Sequence, residues 1–391
     1  MKFIRLLTSV ATLLIASVGS GFVFAQDAVS RQTQPIWLGQ LASTTHPLVA
    51  DNAKEYIAGI ELAFQRINTS GGIKGRPLKL ATRDDNFDAS RASGLTDELV
   101  QEKNIVALLG NYGTQSTLRL GQEATLEKHK LASIGPMTGL QSALNQPNVF
   151  AVRATYDDEV LAMMQHATRL ARKKIGYLYW QAGAGPQLAK LAEKMALDSG
   201  AELIGLSGFA VTKDIADQKA VIQQAIESWG SKQPDAVVLI AVTAVHSEAM
   251  KVLRQKYGVG LPVYSLGLTT PESLIKDIGP VAAAGVMLTQ VMPQPSGQSV
   301  AIVRNYQADI KRFAPTQQMS YMNLEGYIAA RVAAELLRNT KNMTREGVLE
   351  ASLTAGILNV NDFRVAYDKT QRRSMQRVEL TMVTRAGKLI Q

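Results

Sequence analysis

Between Asn104 and Leu140 two short apolar runs, Ile105 to Leu109 and Leu131 to Ile134, each stop at glycine-bearing turns, Gly110-Asn111-Tyr112-Gly113 and Gly135-Pro136-Met137-Thr138-Gly139. Apolar Leu118, Leu120, Ala124 and Leu126 between them recur at helical spacing. Strand, turn, helix, strand, turn is the repeating unit of a parallel sheet, since parallel neighbours need a crossover. Both turns then fall at carboxyl ends of strands on one sheet edge, where open parallel sheets bind ligands. Gly113 leaves room for a ligand to approach the backbone. Thr114, Ser116 and Thr117 add hydroxyls beside the unpaired N–H groups of a helix N-terminus, a combination suited to a small anion. One such turn reads better as a plain helix cap; two at successive strand ends point to a site.

The alternation extends both ways. Ile36 to Gln40 reads as a first strand, followed by a helix from about Ala53 to Asn68 that Thr69-Ser70-Gly71-Gly72 stops. A strand at Leu78 to Arg83 runs into Asp84-Asp85-Asn86. Adjacent residues on an extended chain face opposite ways, so these aspartates suit turn formation rather than paired acid–base work, and Asp88 is the expected N-cap of a helix to Lys103. After Val149 to Arg153 and a helix from Asp157 to Arg172, the pattern starts afresh. Strands are expected at Ile175–Tyr179, Glu202–Phe209, Ala236–Val242, Val263–Leu266 and Gly285–Gln290, with helices at Gln187–Ser199, Asp217–Lys232, Ser247–Tyr257 and Pro271–Ile278. That makes a second parallel sheet. Helices at Ser299–Phe313, Met322–Arg338 and Arg345–Ser352 have no strands between them and are expected to return to the first domain. Phe363–Tyr367 and Val378–Val383 close the chain as an antiparallel-looking pair.

Lys2 and Arg5 precede an apolar stretch to Phe24, broken by Ser17, Gly19, Ser20 and Gly21 and ending in Val23-Phe24-Ala25. This is the pattern of a cleaved signal peptide over residues 1–25. The polar interruptions leave too little continuous apolar length for a membrane span of roughly 20 residues. With no cysteine anywhere, neither a disulfide framework nor a lipidated cysteine is available, so a soluble protein released into a periplasm is expected. The formal charge is +9, but the basic residues are scattered without aromatic interleaving, which excludes a nucleic-acid surface. Some 365 residues after the leader are too many for one ordinary core, and no linker divides them, so two domains joined by short connections are expected.

From Ile36 to about Leu389 the chain resembles the type I periplasmic solute-binding proteins of ABC transporters, in the group related to the leucine/isoleucine/valine-binding protein. The residues that carry the resemblance are Ala58-Gly59-Ile60-Glu61, Gly71-Gly72-Ile73-Lys74-Gly75-Arg76-Pro77, Asp84-Asp85, Gly110 with Gly113 and Ser116-Thr117, Gly135 to Gly139, Val152-Arg153-Ala154, and Leu324-Glu325-Gly326-Tyr327. The resemblance implies an α/β fold of two doubly wound parallel-sheet lobes joined by a three-segment hinge. Lobe 1 would comprise residues 34–153 plus 290–370, and lobe 2 residues 154–289 plus 371–391. It further implies that a ligand carboxylate rests against Gly113, Thr114, Met137 and Thr138, and that Tyr321 lines the cleft. In lobe 2 the chain departs from the pattern. Trp180 is followed by Gln181-Ala182-Gly183-Ala184 rather than an acidic-aromatic turn, and Gly267-Leu268-Thr269-Thr270 stands where amino-acid binders place a carboxylate for the ammonium.

No P-loop, nucleophile elbow or zinc-protease motif occurs, and the four histidines have no metal-ligand spacing. Ser273-Leu274-Ile275-Lys276 matches S-x-x-K but lacks its companion elements and reads as an exposed helix. The expected protein is thus a non-enzymatic monomer without cofactor or metal, working with the membrane permease of an ABC importer. A periplasmic sensor module with the same lobes is the alternative. The expected ligand-binding set is Tyr112, Gly113, Thr114, Met137, Thr138, Trp180, Gly267, Thr269 and Tyr321. Its expected ligand is a small carboxylate, an amino acid or related organic acid. Because no lobe-2 carboxylate awaits an ammonium, an acid without a free α-amine is favoured, unless Asp51 or Glu272 supplies the charge.

Overall fold

Alternation of apolar strand and amphipathic helix produces the expected unit in the computed structural model, which describes residues 34–390 except 211, 213, 214, 369–371, 376 and 377. The leader expected over residues 1–25 lies outside the described residues. β1 (Ile36–Leu41), α1 (Ala50–Thr69), β2 (Leu78–Arg83), α2 (Ala92–Lys103), β3 (Ala107–Leu109), α3 (Thr114–Gln122), α4 (Thr125–Lys128), β4 (Ser133–Ile134), α5 (Gln141–Leu144) and β5 (Val149–Phe150) follow one another. Their strands form a parallel sheet in the order β2-β1-β3-β4-β5. Helices cover both faces, so the central strand β3 is buried throughout, as a parallel strand must be.

α6 (Tyr156–Arg169), β6 (Lys174–Trp180), α7 (Gly185–Ser199), β7 (Glu202–Phe209), α8 (Ile215–Glu227), β8 (Ala236–Ile240), α9 (Thr243–Tyr257), β9 (Val263–Ser265), α10 (Pro271–Ala283) and β10 (Val286–Gln290) build the second sheet. Its order is β15-β14-β10-β9-β8-β6-β7, with β14 (Glu379–Val383) and β15 (Leu389–Ile390) antiparallel at one edge. Before these last strands come α11 (Ala301–Phe313), α12 (Tyr321–Asn339), α13 (Arg345–Leu353) and a small sheet of β11 (Gly356–Val360), β12 (Phe363–Tyr367) and β13 (Arg372–Ser374). The small sheet abuts the first, with Ala151 N–H donating to Arg372 O and Tyr367 O–H to Ala151 O. The chain therefore passes between the neighbourhoods of the two large sheets after β5, after β10 and after β13.

Several expectations need correction. Phe363–Tyr367 and Val378–Val383 do not pair with each other: β12 pairs with β11 and β13, whereas β14 pairs with β10 and β15. The strand Gly356–Val360 was hidden because its side chains alternate between exposed and buried only weakly in apolar character. The helix expected to run through Leu118 and Leu126 is two helices, since Ala124 adopts a left-handed conformation at φ 52°. The helix beginning at Pro271 continues to Ala283 across a kink, where Gly279 leaves helical geometry just before Pro280.

α12 returns to the first sheet's side and crosses α1 at very short range. A Cβ on Gly59 would lie 1.9 Å from Asn323 O, and one on Gly326 would lie 2.0 Å from Tyr56 O. Two glycines in the motifs quoted above thus let the helix backbones touch. Because the obstacle is backbone rather than a flexible side chain, Gly326→Ala is expected to destabilise the protein by about 3 kcal/mol, the upper end of ordinary overpacking. Urea unfolding of the variant against the native chain measures it.

Candidate functional site

The carboxyl ends of the parallel strands in both sheets converge on one cavity of about 370 Å³, within the size range of small-molecule sites. On the first sheet's side it is lined by Val49, by Phe87 to Ala89 after β2, by Tyr112 to Ser116 after β3, and by Met137 after β4. Tyr156, at the start of α6, forms part of the lining. The opposite wall comes from Trp180 and Ala182 to Gly185 after β6, Ile240 to Val242 after β8, and Leu266 and Leu268 after β9.

Three loops of the first wall are tied by one carboxylate. Asp85, fully buried, accepts from Ser43 Oγ at 2.5 Å, Ser116 Oγ at 2.7 Å and Phe87 N at 3.1 Å. Those donors offset the cost of burying the charge. Asp85 is therefore structural, as its position in a turn implied. Asn111 works similarly from β3's end, accepting from Leu41 N through Oδ1 while its carbonyl accepts from Met137 N.

The walls meet across the cavity. Phe87 lies parallel to Trp180, with ring centroids 5.8 Å apart and 5° between planes. Gln115 Nε2 donates to Gly183 O at 2.9 Å. Asn52 Nδ2 donates to Leu268 O at 3.0 Å and to Thr243 Oγ1 at 3.3 Å. Beneath the floor, fully buried Arg153 donates to Glu159 at 2.8 Å, faces Glu325 at 3.4 Å and approaches Met137 Sδ at 3.6 Å. Its guanidinium also lies 5.2 Å from the Tyr156 ring centre. Glu159 continues the network, accepting from Gly267 N at 2.9 Å and from Thr289 Oγ1. Burial pushes the Glu325 carboxyl upward, opposed by Arg153 and reinforced by Glu159.

Five of the nine sequence-expected residues line the cavity: Tyr112, Gly113, Thr114, Met137 and Trp180. Gly113 caps α3 at φ 143°, a conformation that favours glycine, and Thr114 opens the helix. Thr138 stands directly behind, its Oγ1 3.0 Å from Thr114 Oγ1, and it is fully buried. Gly267 and Thr269 do not reach the cavity; Gly267 N–H is taken by Glu159 and Thr289, and its neighbours Leu266 and Leu268 provide the wall instead. Tyr321 is absent from the lining as well. Ser320 caps α12, whose close packing on α1 directs Tyr321 toward Thr381 of β14, where burial pushes its hydroxyl up to about 12. Sequence reasoning missed Phe87, Gln115 and Tyr156. Phe87 follows a strand's carboxyl end, which is the signal that would have found it.

Electrostatically the cavity is lopsided. Among the described residues no Lys or Arg lines it, and its lining carboxylate, Asp88, is exposed, accepts from Ser90 N and Oγ and has its pKa lowered by those bonds. Polar capacity concentrates at the Thr114–Thr138 hydroxyl pair and α3's first turn, whose N–H groups lack acceptors within the helix. Among the described residues no group of His, Cys, Asp and Glu is arranged to hold a metal ion.

A family model described as periplasmic binding protein matches residues 35–388. The Leu/Ile/Val-binding protein homolog 7 of Brucella abortus is 23% identical over 332 residues, which cover 81% of this chain and 80% of that protein. Among solved structures, an extracellular ligand-binding receptor from Verminephrobacter eiseniae superposes with a TM-score of 0.81 at 24% identity, covering 91% of this chain and 100% of that one. The branched-chain amino acid transporter substrate binding protein of Streptococcus pneumoniae, solved in complex with isoleucine, gives a TM-score of 0.76 at 17% identity, covering 92% and 98% of the two chains. These relatives are binding proteins rather than enzymes. With nearly the whole described chain matched and a cavity at converging strand ends, the protein belongs to the periplasmic binding protein family.

Proposed function

We propose that this protein is the periplasmic substrate-binding component of an ABC importer, and that it closes two lobes around a small carboxylate with an apolar body. The lobes are residues 34–153 with 290–370 and residues 154–289 with 371–391, except that β13 (Arg372–Ser374) pairs with β12 and sits with the first lobe, and they follow a leader removed after residue 25. The observation that carries this reading is the asymmetry of the cavity: one end pairs the Thr114 and Thr138 hydroxyls with a helix N-terminus, and the remainder is chiefly apolar. A helix N-terminus and hydroxyl donors favour negative charge. The apolar body would rest against Tyr112, Met137 and Trp180. Leu268 lies in the wall near the point where amino-acid-binding relatives would need a carboxylate, so an acid lacking a free α-amine is favoured over an amino acid.

A hydrogen bond to a charged group contributes roughly 1.5–3 kcal/mol, so Thr114→Val is expected to weaken binding about tenfold to a hundredfold without unfolding the protein. Calorimetry checks this with α-amino acids and their deaminated analogues chosen by thermal-shift screening. Tighter binding of the amino acid would overturn the ligand class, and turnover of any ligand would overturn the binding role.

A further inference from the structure

Among the loops that follow the strands of the second sheet, the cavity wall contains a single polar side-chain donor, the other donor on that side being the Tyr156 hydroxyl at the start of α6. Ala182, Gly183, Ala184, Gly185, Ile240, Ala241, Val242, Leu266 and Leu268 bring no side-chain hydrogen-bonding atom, which leaves the indole of Trp180. That ring is 4% exposed and held flat against Phe87, yet its Nε1 is buried without a partner. Trp229, comparably buried, shows the ordinary outcome, with Nε1 donating to Ser207 Oγ at 2.9 Å. Buried indole N–H groups normally find an acceptor. Among the described residues no acceptor lies within hydrogen-bond reach of it.

We propose that Trp180 is a specificity-determining residue whose Nε1–H reads a second acceptor on the ligand, an uncharged carbonyl, hydroxyl or ether oxygen distant from its carboxylate. The inference rests on the carboxylate reading of the cavity and narrows it. A purely hydrocarbon acid would fill the same space while leaving the N–H desolvated and unpaired, whereas an acid with a distal oxygen satisfies it. Discrimination on this basis differs in kind from that of a missing methylene, because the wrong ligand strands a buried polar group.

Calorimetry with pairs matched in shape tests it: 4-methoxyphenylacetate against 4-ethylphenylacetate, and 5-oxohexanoate against 5-methylenehexanoate. The oxygen-bearing member of at least one pair is expected to bind roughly tenfold tighter, the ratio typical of one hydrogen bond. Trp180→Phe keeps an aromatic ring over Phe87 and is expected to erase that ratio. In ¹⁵N-tryptophan-labelled protein, which has three indole signals, one is expected to move downfield with the oxygen-bearing acid only; this readout needs no variant. Equal binding within both pairs, a ratio that survives Trp180→Phe, or three unmoved indole signals overturns the proposal. Failure of every acid to bind overturns the carboxylate reading instead, and the corresponding primary alcohols then decide the role of the indole by the same comparison.

Discussion

Arg153→Met is expected to lower the stability of the protein by about 3–5 kcal/mol at neutral pH, the largest loss any single substitution in the cavity's surroundings should produce. Arg153 is fully buried between Glu159 of α6 and Glu325 of α12, so removing it leaves two carboxylates facing each other without their cation. Methionine fills a similar space, which confines the effect to charge and hydrogen bonding rather than to a cavity. The consequence reaches the site because Glu159 also holds Gly267, between wall residues Leu266 and Leu268, and Arg153 touches Met137 on the opposite wall. Protonation relieves the stranded carboxylates, so the deficit is expected to shrink as pH falls. Urea unfolding at pH 5 and pH 8 measures both statements; a deficit under 1 kcal/mol, or one independent of pH, would show that the network contributes little.

Ligand affinity is expected to fall as pH rises from 5 to 8, by more than tenfold and up to about a hundredfold, and Glu272→Gln is expected to remove most of that dependence. Glu272 stands in the first turn of α10, where the two walls meet beside Asn52 and Leu268, and its Oε2 is buried without a partner. Burial first, then the charge of Glu55 on α1, pushes its pKa up from 4.5 to about 7. Glu55 is itself raised by burial and by Asp51, against a hydrogen bond from Ser320. On the same helix Lys276 follows Glu272 by one turn and is exposed to solvent, which screens its charge. Tyr306 and Tyr321 face Glu272 from α11 and α12, Glu379 of β14 acts on Tyr321, and Asp277 of α10 is engaged by Ser247. His246 of α9 is neutral, pushed down to about 3 chiefly by burial and further by Arg254.

The sign follows from the raised carboxyl. Below about pH 4.5 the group is protonated whether the walls are apart or together, and closure carries no penalty from it. Between 4.5 and about 7 a separated Glu272 ionises while the enclosed one resists, so closure is progressively disfavoured; above 7 the penalty is complete. Ligand calorimetry across that range on both proteins is the check. An affinity that does not change with pH in the native chain, or an equal dependence in Glu272→Gln, sinks the prediction.

Much of the architecture is legible in local residues. Glycine-stopped apolar runs such as Ile105–Leu109 and Leu131–Ile134 mark parallel strands, and the turns that follow supply Tyr112, Gly113, Thr114 and Met137 to the cavity. Each of those facts depends on a few neighbouring residues, whose periodicity and backbone freedom are set by the chain itself. Phe87 was less visible because it sits in a polar turn, where its ring has meaning only against Trp180, 93 positions later (180 minus 87). Tyr321 stands outside the cavity lining for the converse reason. Its place just before a long helix suggested a cleft aromatic, yet the direction of that helix is decided by the Gly59–Gly326 crossing, which no local pattern around Tyr321 contains.

The sequence by itself determined that this chain alternates strands and helices into parallel sheets and where the strand ends that line the cavity lie, since these follow from short-range periodicity and glycine-dependent turns. Only the tertiary structure decided that Arg153, Glu159 and Glu325 form one buried network, that Phe87 stacks on Trp180, and that Glu272 comes under the charge of Glu55. Charge burial, ring stacking and desolvation depend on which surfaces are brought together. For residues separated by more than 90 positions, that is set by the packing of whole helices and sheets rather than by any run of neighbouring residues.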